Sequence, residues 1–137
     1  MGLDIGDRRI GVALSDPERL LASALTIIER RDSATDVQAI LSLVAKHEVE
    51  CIVLGLPRSL NGSIGPQAEK VQAFSEMLSR KVEVPVESWD ERLSTVAAER
   101  LLIEVGMRRD KRKKHRDAIA AAFILQGYLD HLRGSAP

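Results

Sequence analysis

The chain reads as one α/β domain: a mixed five-stranded sheet, led by an antiparallel hairpin and continued by parallel strands, with helices on both faces. Three observations predict this. Residues 1–5 and 9–15 are short strand-compatible runs separated only by Gly6-Asp7-Arg8, a spacing that favours a hairpin. Residues 50–56 form a near-continuous apolar run around Cys51-Ile52-Val53-Leu54, of the kind that parallel strands buried on both faces carry. From there onward, apolar residues at helical spacing alternate with strand-like segments, as in domains where helices cover a sheet.

Each element follows in order. After the turn at Asp16-Pro17, Leu25-Thr26-Ile27-Ile28 makes a third strand. Ser33 with Asp36 three residues on resembles a capping box, and Val37, Ile40, Leu41 and Val44 repeat at helical spacing, so a helix should run to about His47. Gly55-Leu56-Pro57 closes the apolar strand, and the loop that follows carries Asn61-Gly62 and Gly65. Pro66 suits the first turn of a helix whose Val71, Phe74 and Leu78 face one way. Residues 84–88 are a fifth strand and residues 95–105 a third helix. Residues 114–132 form a long closing helix with Ala118, Ala121, Ala122, Leu125, Leu129 and Leu132 as its buried stripe, and residues 133–137 read as a flexible tail.

Composition bounds the function. A chain of 137 residues, 45% hydrophobic, has enough core for one domain and no room for a second. No apolar run approaches the roughly 20 residues of a membrane span, and no basic-then-apolar signal opens the chain, so a cytoplasmic protein is expected. The single Cys51 leaves no disulfide partner and no zinc set, and His47, His115 and His131 show no metal-ligand spacing. Net charge is zero, yet seven cations (Arg108, Arg109, Lys111, Arg112, Lys113, Lys114 and Arg116) fall within nine residues against Asp110 alone. The remaining 13 basic and 19 acidic residues are net −6, so a basic loop on an acidic body is a localised footprint for a polyanion.

Three regions place carboxylates at element ends, where they are poor core-building choices. Asp4 ends the first apolar run, Asp90-Glu91 follows the fifth strand, and Asp117 opens the closing helix. Phosphodiester hydrolysis needs an activated water and neutralisation of charge on the phosphate and the leaving oxygen. Two Mg²⁺ or Mn²⁺ ions roughly 3.5–4 Å apart supply both, and hard cations select carboxylate oxygens. Asp4, on the central strand, is the best bridging ligand. Adjacent residues of an extended segment point opposite ways, so only one of Asp90 and Glu91 faces the site, and Glu91 is preferred, with Asp90 as an alternative ligand, helix cap or support.

Gly2-Leu3-Asp4-Ile5-Gly6 with Arg9-Ile10-Gly11-Val12-Ala13, Gly55-Leu56-Pro57 with Asn61-Gly62 and Gly65-Pro66-Gln67-Ala68, Asp90-Glu91-Arg92-Leu93-Ser94-Thr95, and Asp117-Ala118-Ile119-Ala120-Ala121 with Ile124-Leu125-Gln126 resemble, in that order, the YqgF/RuvX family of the RNase H-like superfamily. The resemblance spans nearly the whole chain. It implies an RNase H-like fold, a Holliday-junction resolvase activity or a role in maturing the 5′ end of pre-16S ribosomal RNA, and a two-metal site on Asp4, an acid of the Asp90-Glu91 pair, and Asp117.

The nucleic acid, structured RNA or branched or single-stranded DNA, is expected to meet Arg8, Arg9, Arg58, Asn61, Arg92, Arg109, Lys111, Arg112, Lys113, Lys114 and Arg116. One Trp and one Tyr leave base stacking a minor part. Cleavage of a four-way junction by two symmetric nicks would imply a homodimer. Two other classes compete: a nucleic-acid-binding module with little catalysis, which the acids argue against, and an actin-like phosphotransferase, which needs a second domain.

Overall fold

The structure, a computed structural model, describes residues 1–57, 65–90 and 109–134, with side chains of the last segment from Arg116 onward. Its strands are β1 (Gly2–Ile5), β2 (Arg9–Ser15), β3 (Ala22–Glu29), β4 (Ile52–Leu56) and β5 (Val86–Asp90). The described helices are α1 (Ser33–Lys46), α2 (Pro66–Lys81) and α3 (Arg109–Leu132). One sheet runs in the order β3-β2-β1-β4-β5. β1 pairs antiparallel with β2 and parallel with β4, and β4 pairs parallel with β5, so the hairpin-led mixed sheet is as the sequence reads. The helix expected at 95–105 lies outside the described residues.

The period-2 alternation of the strands sorts side chains to two faces. Leu3, Ile5, Ile10, Val12, Ile52, Leu54 and Leu56 form one core with Val37 and Ile40 of α1 and Val71, Phe74 and Leu78 of α2. Ala13 and Val53 form the other with Ala121, Ile124, Leu125 and Leu129 of α3. Helices therefore cover both faces, and β4, apolar throughout, is buried on each.

Boundaries differ from the sequence reading where tertiary contacts override local signals. β3 extends from Ala22 to Glu29 because it pairs along the whole of β2. β5 starts at Val86 and ends on Asp90, so Asp90 stands within the strand rather than past it. α1 is capped by Asp32, whose carboxylate accepts from the Thr35 N–H at 2.8 Å; this interaction, first of all, holds its carboxyl below the usual range. Ser33 is therefore the first helical residue, and Asp36 is released from a capping role. α3 begins at Arg109, so Asp117 sits about two turns inside it rather than opening it. Its buried stripe is Ala118, Ala121, Ile124, Leu125 and Leu129. Ala122 is only partly buried, and Leu132, at 55% exposure, lies outside the stripe.

Asp36 is the one fully buried charged residue among those described. Its carboxylate accepts from Arg30 Nε and from the Arg31 N–H, both at 3.1 Å. Arg30 in turn lies over the Phe74 ring, 5.2 Å from its centroid, and donates to the Gly6 carbonyl at 3.0 Å, while its backbone N–H reaches the Arg8 carbonyl at 2.8 Å. A buried carboxylate thus fixes an arginine that clamps the tip of the β1–β2 hairpin.

Candidate active site

The site is built from β1, the hairpin turn and α3. Asp4 is the third residue of the central strand. Its alternation partner Gly2 faces α3, because a Cβ there would fall 2.7 Å from both the Ala121 carbonyl and Leu125 Cβ, so Asp4 belongs to the same face. Directly across the antiparallel ladder from Asp4 is Gly11. A Cβ on Gly11 would lie 1.9 Å from the Asp117 carbonyl oxygen and 2.7 Å from the Ala118 nitrogen. The α3 backbone therefore rests on the bare Gly11 backbone, one strand spacing from Asp4. This is how two acids 113 positions apart in the chain come to share one corner of one face.

In the sequence Gly11 is a glycine within a strand-like motif, with no partner indicated. An isolated glycine within a strand pattern is a recognised sign of close backbone approach, and that signal was available. Gly11→Ala should force α3 off the sheet at Asp117, destabilising the protein by about 1–3 kcal/mol or more. Thermal unfolding checks this, and a variant as stable as the parent would show that α3 does not rest there.

Asp117 is met by Arg9, the first residue of β2, whose Nε donates to Oδ2 at 3.1 Å. Both side chains are partly open to solvent, 47% for Arg9 and 31% for Asp117. The turn Gly6-Asp7-Arg8, closed by the Gly6 N–H to Arg9 carbonyl bond at 2.9 Å, delivers Arg9 to the α3 face. Arg8 in the same turn is exposed, as is Arg116.

Asp90 ends β5 opposite Leu56. Val86 packs on the α1/α2 side and Trp89 on the α3 side, so alternation turns Asp90 away from the face of Asp4 and Asp117. Asp90 thus stands on the α1/α2 side at the carboxyl end of β5. Glu91, Arg92, Arg58 and Asn61 lie outside the described residues, as do the side chains of Arg109, Lys111, Arg112, Lys113 and Lys114. The backbone of the basic segment from Arg109 is helical, correcting the expected basic loop: it forms the opening turns of α3.

Among the described residues no three His, Cys, Asp or Glu side chains cluster as a metal set, Glu91 not being among them. What is present fits a hard divalent cation: oxygen donors on two carboxylates at one corner, partly open to solvent, leaving room for water and phosphate. Asp4 and Asp90 also lie toward the carboxyl ends of parallel strands, where open α/β sheets bind their ligands. A cleft of about 540 Å³, lined in part by Ser15, His47, Cys51 and Tyr128, opens at the other end of the strands. Cys51 there is half-buried, with burial raising its thiol pKa, which fits a packing role. Trp89 and Tyr128 pack edge to face, centroids 6.2 Å apart, in the α3-side core.

The RuvX family model, described as Holliday junction resolvase, matches residues 1–131. A protein of Moorella thermoacetica named "Putative pre-16S rRNA nuclease" is 53% identical over 132 residues, covering 96% of this chain and 94% of its own length. One of the same name from Clostridium botulinum strain Hall is 48% identical over 132 residues, with 96% of each covered. Among solved structures, Thermus thermophilus RuvC in complex with a Holliday junction substrate superposes with a TM-score of 0.66 at 16% identity, over 98% of this chain and 95% of that one. The Fowlpox virus resolvase in complex with Holliday junction DNA gives 0.53 at 13%, with 96% of each covered. These superpositions show a shared RNase H-like fold. With the family match running through Asp4, the Asp90-Glu91 pair and Asp117, the chain belongs to the RuvX family.

Proposed function

We propose that the protein is a divalent-metal-dependent nuclease of the cytoplasm that hydrolyses phosphodiester bonds, in processing the 5′ end of pre-16S rRNA, in cleaving branched DNA such as Holliday junctions, or in both. The observation that carries the reading is the convergence of Asp4 and Asp117 on one face through the glycine contact at Gly11. The names of the relatives favour RNA, and the complexes of the structural neighbours favour junction DNA. Asp4, Glu91 and Asp117 would hold the cations, Mg²⁺ or Mn²⁺, whose chemistry is to activate water and to neutralise charge on the phosphate. Asp4, between the two neighbouring strands, suits the shared ligand. Arg9, beside Asp117, is near enough to the site to meet a phosphate oxygen, and Arg8 and Arg116 extend the cationic rim. Cleavage of matched single-stranded RNA, single-stranded DNA and four-way junction substrates with each ion, mapped at nucleotide resolution, tests this. Metal-dependent scission is expected, and symmetric nicks at the junction would further indicate a homodimer. Absence of scission on every substrate would favour a binding module.

The third acid is assigned to Glu91 because strand alternation has already turned Asp90 to the opposite face. Glu91→Gln should weaken metal binding and turnover together, whereas Asp90→Asn should cost about 1 kcal/mol of stability as a lost cap or support. Melts of both variants with and without Mn²⁺ distinguish them, and the reverse pattern would move the ligand to Asp90.

Binding to the polyanion is assigned chiefly to the basic start of α3, including Arg109, with Arg58, Asn61 and Arg92 as further contacts. Each phosphate contact contributes a slope of about −0.9 on duplex in log affinity against log salt. Replacing Lys111, Arg112, Lys113 and Lys114 by Gln should therefore flatten the slope by roughly 3.6 on duplex, and by about 3 on single strands where each contact contributes about −0.7, if all four engage. An unchanged slope would send the binding face to Arg8, Arg9, Arg58 and Arg92.

A further inference from the structure

We infer that Arg9 is a built-in stand-in for the cation: in the metal-free protein its guanidinium holds Asp117 Oδ2, and a divalent ion must displace it to gain that oxygen. The inference rests on the metal reading of Asp4 and Asp117 and adds a regulating residue to it.

Three observations carry it. The Nε of Arg9 is on the very carboxylate that the site needs, at 3.1 Å, through one oxygen. The backbone that carries Arg9 is held in place: the hairpin turn is closed by Gly6 and clamped from behind by Arg30, which is itself bound to the buried Asp36. The local charge also calls for a cation. Asp4 and Asp117 share the face, and Glu29 is the cross-strand neighbour of Arg9 on β3, so three acids lie on the strands and helix around the position of Arg9. Clustered carboxylates repel, and a positive group among them relieves that repulsion until a divalent ion does so better.

The two cations are then mutually exclusive at Oδ2, and their free energies are linked. An ion pair as exposed as this one contributes up to about 1 kcal/mol, so its removal can change metal affinity by no more than about fivefold. The sign is fixed: losing Arg9 removes both a competitor and a repelling charge, so metal binds more tightly. Arg9 is in this sense a positioning residue acting through Asp117.

Mn²⁺ titration by calorimetry on the parent, Arg9→Gln and Arg9→Lys tests it. Arg9→Gln should lower the Mn²⁺ Kd by up to about fivefold, and Arg9→Lys, which keeps the charge, should stay within about twofold of the parent. Urea unfolding supplies a second readout that a merely structural arginine would not move. Arg9→Gln should be less stable than the parent without metal, and the difference should vanish at saturating Mn²⁺, because the metal-bound parent no longer uses the pair. An equal loss of stability with and without Mn²⁺, or an unchanged or weaker affinity in Arg9→Gln, would overturn the inference while leaving the metal site standing. If the parent itself bound no Mn²⁺, the functional reading would fail first and take the inference with it.

Discussion

Asp4→Asn and Asp117→Asn should each lower turnover by at least about a hundredfold, the upper loss seen when even the supporting groups of a metal site are removed. Both changes preserve shape while removing one negative charge and turning one acceptor oxygen into a donor, so they address ligation rather than packing. Asp4→Asn should leave the metal-free fold intact or slightly more stable, since it relieves repulsion at the corner it shares with Asp117. Asp117→Asn should be close to neutral, because the relief is offset by loss of the Arg9 pair. Circular dichroism and melts on each variant separate lost chemistry from lost fold. Normal turnover in either variant would remove that residue from the site.

The largest expected change in stability is far from the acids. Asp36→Ala should destabilise the protein by about 3–5 kcal/mol, toward the lower end because Arg30 keeps 20% of its exposure. The cost comes from what is left behind: a guanidinium held over Phe74 with its counter-charge gone, and an Arg31 N–H without its acceptor. It follows that removing both charges should be milder than removing one. Asp36→Leu combined with Arg30→Met should recover most of the loss, since well-packed apolar pairs often match a buried ion pair. Urea unfolding of the single and double variants checks this, and a double variant as unstable as Asp36→Ala would mean that the hairpin clamp through Gly6, not the charge balance, dominates.

What was legible in the sequence divides along physical lines. The hairpin, β4 and α2 follow from signals a few residues long: a three-residue turn, an unbroken apolar run, and Pro66 ahead of Val71, Phe74 and Leu78. Asp4 and Asp117 stood out because acids at the ends of apolar segments have no packing reason to be there. The misread features are those decided by distant partners. Asp36 looked like part of a capping box, and only the approach of Arg30 from the end of β3 shows it as a buried counter-ion. The basic segment, a run of seven cations with no apolar residues at helical spacing, reads as a loop, yet its backbone is helical from Arg109. That Gly11 seats α3 and so sets Asp117 beside Asp4 depends on a contact across more than a hundred residues, visible in the sequence only as a glycine in a strand.

On the proposed reading Asp4 and Asp117, brought to one corner of the α3 face by the seat at Gly11, hold the same divalent cations. Mn²⁺ binding measured by calorimetry on the parent, Asp4→Asn and Asp117→Asn tests it most directly. Saturable binding is expected in the parent, weakened by about tenfold or more in each variant while circular dichroism stays unchanged. Equal Mn²⁺ affinity in all three proteins would contradict it.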